Sequence, residues 1–154
     1  MCDLIVIVMP LRDPTLKSEQ LYHVYNRGFL RMDLFNTLRD CKKFENKTAY
    51  YSKKYSVEII HYTLMGNHFH FLAKQNKEGG LSKFMQKLLQ SFAMYFNIKY
   101  QRRGPVFDSR FKAKPVTELE YLRTIESYIA NNPVKARIKV CENIASIGFP
   151  PELK

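Results

Sequence analysis

The sequence predicts a single domain that mixes β-strands with α-helices, and three observations predict it. Leu21–Arg27, residues 55–65 and Asn67–Phe71 are rich in β-branched and aromatic residues, with period-two alternation clearest in the last. Leu81 to Tyr100 repeats its apolar residues at helical spacing instead. The chain has 154 residues, one domain's worth, shows no internal repeat, and is 45% hydrophobic and 14% aromatic, enough for a proper core.

The charge narrows the function classes. The formal net charge is +11 and the pI near 9.6. A single domain this basic points to a polyanion, nucleic acid first and an anionic membrane surface second. No stretch reaches the ~18 apolar residues of a membrane span. Leu4–Met9 is apolar but short and follows Asp3 rather than a basic segment, so it reads as an extra strand or a tail, not a signal peptide. Cys2, Cys41 and Cys141 give neither zinc spacing nor a disulfide framework, which suits a reducing cytoplasm.

The elements follow in order. Residues 10–20 form a polar lead-in with Pro10 and Pro14. Leu21–Arg27 is a strand ended by Gly28, with His23 expected as an ordinary strand histidine that could reach a metal face. Phe29–Phe35 reads as a connector. Asn36 caps a helix to about Ser52, with Leu38, Cys41 and Phe44 on its apolar side and Lys42, Lys43 and Lys47 on a solvated one. Residues 55–65 make a strand, and Gly66-Asn67 a two-residue hairpin turn with glycine first.

That turn introduces the stretch that bears on chemistry, Asn67-His68-Phe69-His70-Phe71. Successive strand side chains point to opposite faces, so His68 and His70 share one face and the two phenylalanines the other. Two adjacent imidazoles on a rigid element suit a divalent metal with open positions. A half-buried strand that happens to carry two histidines is the alternative. Through the hairpin, Met65 faces His68, Thr63 faces His70, and His61 lies diagonally as a conceivable third ligand.

After a polar turn over residues 74–80, Leu81, Phe84, Met85, Leu88, Leu89, Phe92 and Phe96 make the core stripe of a helix. Gly104-Pro105 breaks it. Residues 101–114 (QRRGPVFDSRFKAK) then set Arg102, Arg103, Arg110, Lys112 and Lys114 against one aspartate. The cations fit phosphate contact, and Phe107 and Phe111 fit the core. Thr117 with Glu120 forms a capping box opening a helix with Leu119, Leu122, Ile125 and Ile129 as its stripe. About 100° per residue puts Tyr121, Tyr128 and Asn132 together on its flank, and Pro133 ends it. Two semi-buried tyrosines of no chemical role are the alternative. Ile138–Cys141 reads as a short strand.

Taken together, the chain resembles the single-tyrosine HUH transposases of bacterial insertion sequences, in particular the REP-associated tyrosine transposases. Three blocks carry the resemblance: YHVYNRG at 22–28, LMGNHFH at 64–70, and Gly104 through Arg137, which contains GPVFDSRFKAKPV and YLRTIESYIANNPVKAR. Gly66 stands where many members have proline. The resemblance covers about residues 21–139 of a domain taken as 1–154.

The resemblance implies an α+β fold, an antiparallel sheet with helices packed on one side in a ferredoxin-like two-layer sandwich. It implies His68 and His70 as ligands of Mg2+ or Mn2+, and Tyr128 as the nucleophile that cleaves and rejoins single-stranded or hairpin DNA through a 5′-phosphotyrosine. Asn132 falls where insertion-sequence members carry a metal-binding Gln. It is shorter by one methylene, which leaves positions for water or substrate oxygens. Relatives act as monomers or as homodimers. Two other readings remain at this stage: a nucleic-acid-binding module of the same fold without catalysis, and a metal-dependent phosphodiesterase that uses water.

Overall fold

The computed structural model describes residues 16–116 together with Leu119 and Arg123. In chain order the elements are β1 (Leu21–Arg27), a 3-10 turn (Phe29–Arg31), α1 (Leu38–Lys54), β2 (Val57–Leu64), β3 (His68–Gln75), α2 (Gly80–Lys99) and β4 (Lys112–Val116). All neighbouring strands are antiparallel, in the order β2-β3-β1-β4. This is the βαββαβ arrangement of the ferredoxin-like sandwich, as the family resemblance implies.

One face of the sheet is apolar because every second residue of β1 and β3 is. Tyr22 and Val24 from β1 and Phe69, Phe71 and Ala73 from β3 are buried there. The helices supply the matching stripe. Phe44 of α1 meets Phe69 at 4.9 Å between ring centroids and Phe92 of α2 at 5.1 Å. In α2, Leu81, Phe84, Met85, Leu88, Phe92 and Phe96 are buried, and Leu89 packs partly buried against them. The other sheet face carries His23, Tyr25, His68 and His70, with a small apolar cluster of Leu72 and Val116 beside them.

Several expectations are adjusted. The cap of α1 is Thr37 rather than Asn36: Thr37 Oγ1 accepts from the Asp40 backbone N–H while the Asp40 carboxylate accepts from the Thr37 N–H. The shifted phase turns Asp40, Cys41 and Phe44 inward and leaves Leu38 exposed. Cys41, expected outside any disulfide, is disulfide-bonded. The Gly66-Asn67 turn has the expected length and register, with Thr63 opposite His70 and the Met65 N–H donating to the His68 carbonyl at 2.8 Å. Neither of its central residues takes a positive φ, so it is not the primed turn that glycine-first implied. A carbonyl from the turn instead accepts twice from the connector, from the Leu34 and Phe35 N–H groups onto Gly66 O.

The strand β4 is not legible in its sequence, KAKPV. It is an edge strand, where Pro115 removes a donor the ladder can spare. The N-terminal apolar run, the Thr117–Glu120 capping box and the strand expected at 138–141 fall outside the described residues. Leu119, expected in an apolar stripe, is helical and 62% exposed.

Candidate active site

His68 opens β3 directly after the turn, and its register partner across the sheet is Arg27. His70 stands two residues on, between Tyr25 of β1 and Thr63 of β2. The period of the strand puts both imidazoles on the face away from the helices, with centroids 5.0 Å apart and planes nearly perpendicular at 84°. Phe69 and Phe71, pointing the other way into the core, fix the strand's orientation.

Both histidines of β3 engage Nδ1. The Asn67 amide nitrogen donates to the Arg31 carbonyl at 3.4 Å, which turns its Oδ1 toward His68. His68 Nδ1–H donates to that oxygen at 2.7 Å, leaving Nε2 with the lone pair. His70 Nδ1 lies 2.9 Å from His23 Nε2. All three rings favour the neutral form. Burial lowers the pKa of His68; burial, then the neighbouring His68 and His23, push that of His70 down to about 3. Burial and the positive Lys114 push His23 down to about 4. Neutral imidazole is the form that ligates a metal.

A cavity of about 330 Å³ opens beside His68, lined also by Tyr25, Asn26, Arg27, Arg31, Asn67, Asp108, Ser109 and Lys112. Arg27 directs Nε and Nη2 at Asp108 Oδ2, both at 2.9 Å. Asn26, buried at the end of β1, donates from its amide to the Ser109 carbonyl, which holds the 108–110 bend against the strand. Tyr25 faces this wall with Lys112 Nζ 5.9 Å from its ring centroid.

Of the residues expected to bind nucleic acid, β4 brings Lys112 and Lys114 onto the histidine face, opposite Tyr25 and His23. Arg110 is exposed just before β4. Arg102 and Arg103 do not line the cavity. Arg102 donates to Asn97 Oδ1 at 3.0 Å and lies over the Phe96 ring, while Arg103 is exposed beside it. His61 pairs with Leu72, after a register shift between Ile59 and His61. Tyr128 and Asn132, like Tyr121, lie outside the described residues.

His23, expected as an ordinary strand histidine that could reach a metal face, does lie on that face and touches His70. Arg27 and Arg31, which the sequence marks only as a strand end and a connector residue, also line the site. The period of β1, which puts His23 and Tyr25 on one face with Arg27 next in line, carries a signal for Arg27. No such signal marked Arg31.

The donor set fits a divalent ion. His68, donating from Nδ1, presents the lone pair of Nε2 to an ion, and His70 can do the same when its ring carries the proton on Nδ1. Both Mn2+ and Mg2+ favour oxygen ligands, and of the two manganese takes imidazole nitrogen more readily. Among the described residues no group of three or more His, Cys, Asp or Glu side chains gathers to hold an ion. Two protein nitrogens with open positions is therefore what they supply.

Comparison with known proteins places this geometry. A REP-associated tyrosine transposase bound to a REP hairpin has a similar fold, with 17% identity, a TM-score of 0.63, and coverage of 80% of this chain and 72% of that one. A putative transposase from Deinococcus radiodurans R1, solved as a crystal structure, is similar at 13% identity and a TM-score of 0.53, covering 76% of this chain and 90% of the other. At these identities the likeness speaks for the fold. No curated protein matches the sequence. The family model of IS200-like transposases matches residues 17–132, a span that includes both histidines of β3 and most of the sequence, and the chain belongs to that family.

Proposed function

We propose that this transposase is a metal-dependent single-tyrosine enzyme of the REP-associated kind, which cleaves and rejoins single-stranded or hairpin DNA through a covalent 5′-phosphotyrosine. The observation that carries the reading is the pair His68 and His70, held neutral on one face with both Nδ1 atoms engaged, beside a cavity rimmed by Arg27, Arg31 and Lys112.

In this reading His68 and His70, with Asn132 or with water and substrate oxygens in its place, would hold Mn2+ or Mg2+. When bound, the ion withdraws charge from a non-bridging oxygen of the scissile phosphate. The remaining work falls to the chain's own residues. Arg27, Arg31 and Lys112 draw the phosphate backbone into the cavity, and Arg102, Arg103, Arg110 and Lys114 extend the basic track along it. Tyr128 supplies the nucleophile. A free tyrosine phenol titrates at about 10, so the attacking oxygen gives up its proton, which passes to the departing 3′-oxygen, as it bonds to phosphorus. The bond from phosphorus to the 3′-oxygen breaks, and that oxygen leaves as a hydroxyl. The phosphotyrosine keeps the energy of the broken ester, and attack by another 3′-hydroxyl releases the tyrosine and joins the strands. No nucleotide cofactor enters. The substrate is unpaired at the scissile phosphate because the site is concave and duplex bases would hold the backbone away. The hairpin in the similar solved complex supports a hairpin substrate here.

The test is incubation with manganese and a labelled hairpin oligonucleotide, followed by denaturing gel electrophoresis. The wild type gives a band shifted by covalent DNA, Tyr121→Phe keeps it and Tyr128→Phe loses it. Cleaved DNA carrying no protein would instead indicate a phosphodiesterase that uses water. Binding without cleavage would indicate a binding module.

A further inference from the structure

The contact between His23 and His70 engages His70 Nδ1, but the scheme above gives His23 itself no role. It joins residues 47 apart in sequence, from the two central strands. The ring planes differ by only 11° and the centroids are 5.1 Å apart. Parallel rings at that separation could be stacked with an offset, but the nitrogens approach to 2.9 Å. That is closer than the ~3.5 Å at which unbonded ring atoms pack. The two rings therefore lie side by side in nearly one plane, with an N–H and a lone pair along the line between them. Two neutral imidazoles can meet this way only if one nitrogen of the pair carries the proton and the other does not.

Which one carries it decides what His70 can do. With the proton on His70 Nδ1, Nε2 of the same ring is a bare lone pair and can ligate. With the proton on His23 Nε2, His70 Nδ1 accepts, its own proton sits on Nε2, and that nitrogen cannot ligate. His68 follows the first pattern already, donating from Nδ1 to Asn67. We infer that His23 is a positioning residue that accepts the Nδ1 proton of His70 and so sets the tautomer and ring orientation in which His70 binds the divalent ion. This rests on the proposed metal role of His68 and His70. A histidine that ligates a metal ordinarily donates its second N–H to an outer partner, which fixes its orientation and raises its basicity. Here that partner is a neutral imidazole rather than the more usual carboxylate. Tyr25 stacks on both rings, 5.0 Å from His23 and 5.8 Å from His70, and holds the pair in register.

Manganese affinity measured by calorimetry separates this role from a merely packed core contact. His23→Ala weakens binding about 10- to 100-fold. His23→Gln, whose amide oxygen can accept the same proton, recovers most of it. Pulsed electron paramagnetic resonance of bound manganese shows two ligating nitrogens in the wild type and in His23→Ala. In the metal-free wild type, nitrogen NMR shows the proton on His70 Nδ1 with scalar coupling across to His23 Nε2, a measurement that needs no variant to fold. Unchanged affinity in His23→Ala overturns the inference, as does the proton residing on His23 Nε2. Three ligating nitrogens in the wild type, falling to two in His23→Ala, overturn it in favour of a direct ligand. A wild type that binds no manganese overturns the metal reading itself, and this inference with it.

Discussion

At the residue scale, Asp40 receives more hydrogen bonds than any of its neighbours and anchors the helices that back the site. Its fully buried carboxylate accepts from the Asn36 and Thr37 N–H groups, from Lys99 Nζ at 2.6 Å, and from the Tyr95 and Tyr100 hydroxyls. Burial alone would raise its pKa; the bonds from Lys99, Tyr100, Tyr95 and Thr37 outweigh it and hold the carboxyl below its usual value. The sign follows: stability from Asp40 is present above the unfolded carboxyl pKa and is lost as pH falls through the lower folded one. Asp40→Asn leaves Lys99 and two tyrosines facing an amide, and should cost about 3 kcal/mol at neutral pH in urea unfolding. The variant should also lose less stability than the wild type below about pH 4. The residue-scale prediction for the site is simpler. The double variant His68→Ala, His70→Ala should abolish the manganese binding that calorimetry detects in the wild type, and equal binding would remove the site from the face where both rings lie.

At the element scale, the hairpin turn before β3 is fixed from outside. Gly28 ends β1, donates its N–H to the Asn67 carbonyl at 2.7 Å, and bridges to Phe107 on its other side. A Cβ on Gly28 would stand 2.0 Å from the Met32 carbonyl oxygen, a backbone atom that cannot swing aside. Gly28→Ala should therefore destabilise the fold by about 1–3 kcal/mol. Because the same residue holds Asn67, and Asn67 orients His68, the variant should also weaken manganese binding while it remains folded. Thermal melting and calorimetry read the two effects separately. A second element matters as much: β4 ends the basic segment by pairing with β1, which swings Lys112 and Lys114 to the histidine face and leaves Arg102 and Arg103 at the end of α2.

At the scale of the whole molecule, the net charge of +11 favours association with a polyanion such as DNA. Each phosphate neutralised releases counterions, so the logarithm of affinity for single strands falls with that of salt by about 0.7 per contact. The double variant Lys112→Ala, Lys114→Ala should lower that slope by about 1.4 without loss of stability, since both side chains are exposed on an edge strand. Arg103→Ala should lower it by about half as much. Arg102→Ala is a less clean probe, because the side chain is bound to Asn97 and packed on Phe96. Fluorescence anisotropy across a salt series gives all the slopes, and an unchanged slope in the lysine pair would put the DNA on another face.

The sequence by itself determined what periodicity and composition encode. The period of two in residues 67–71 placed His68 and His70 together with their backs to the core, the helical stripe of residues 81–96 named the core helix, and the charge named the class of ligand. Those signals are local, or summed over the chain, and need no partner to be read. Only the tertiary structure decided which strands lie side by side. Pairing of β1 with β3 set His23 against His70 and Arg27 against His68, and pairing of β1 with β4 brought in Lys112. Register between strands separated by a helix is fixed by backbone hydrogen bonds and by burial of one face against α1 and α2. No window of the sequence contains both partners of such a pair, so a histidine that reads as ordinary in its own strand can lie beside the candidate metal site.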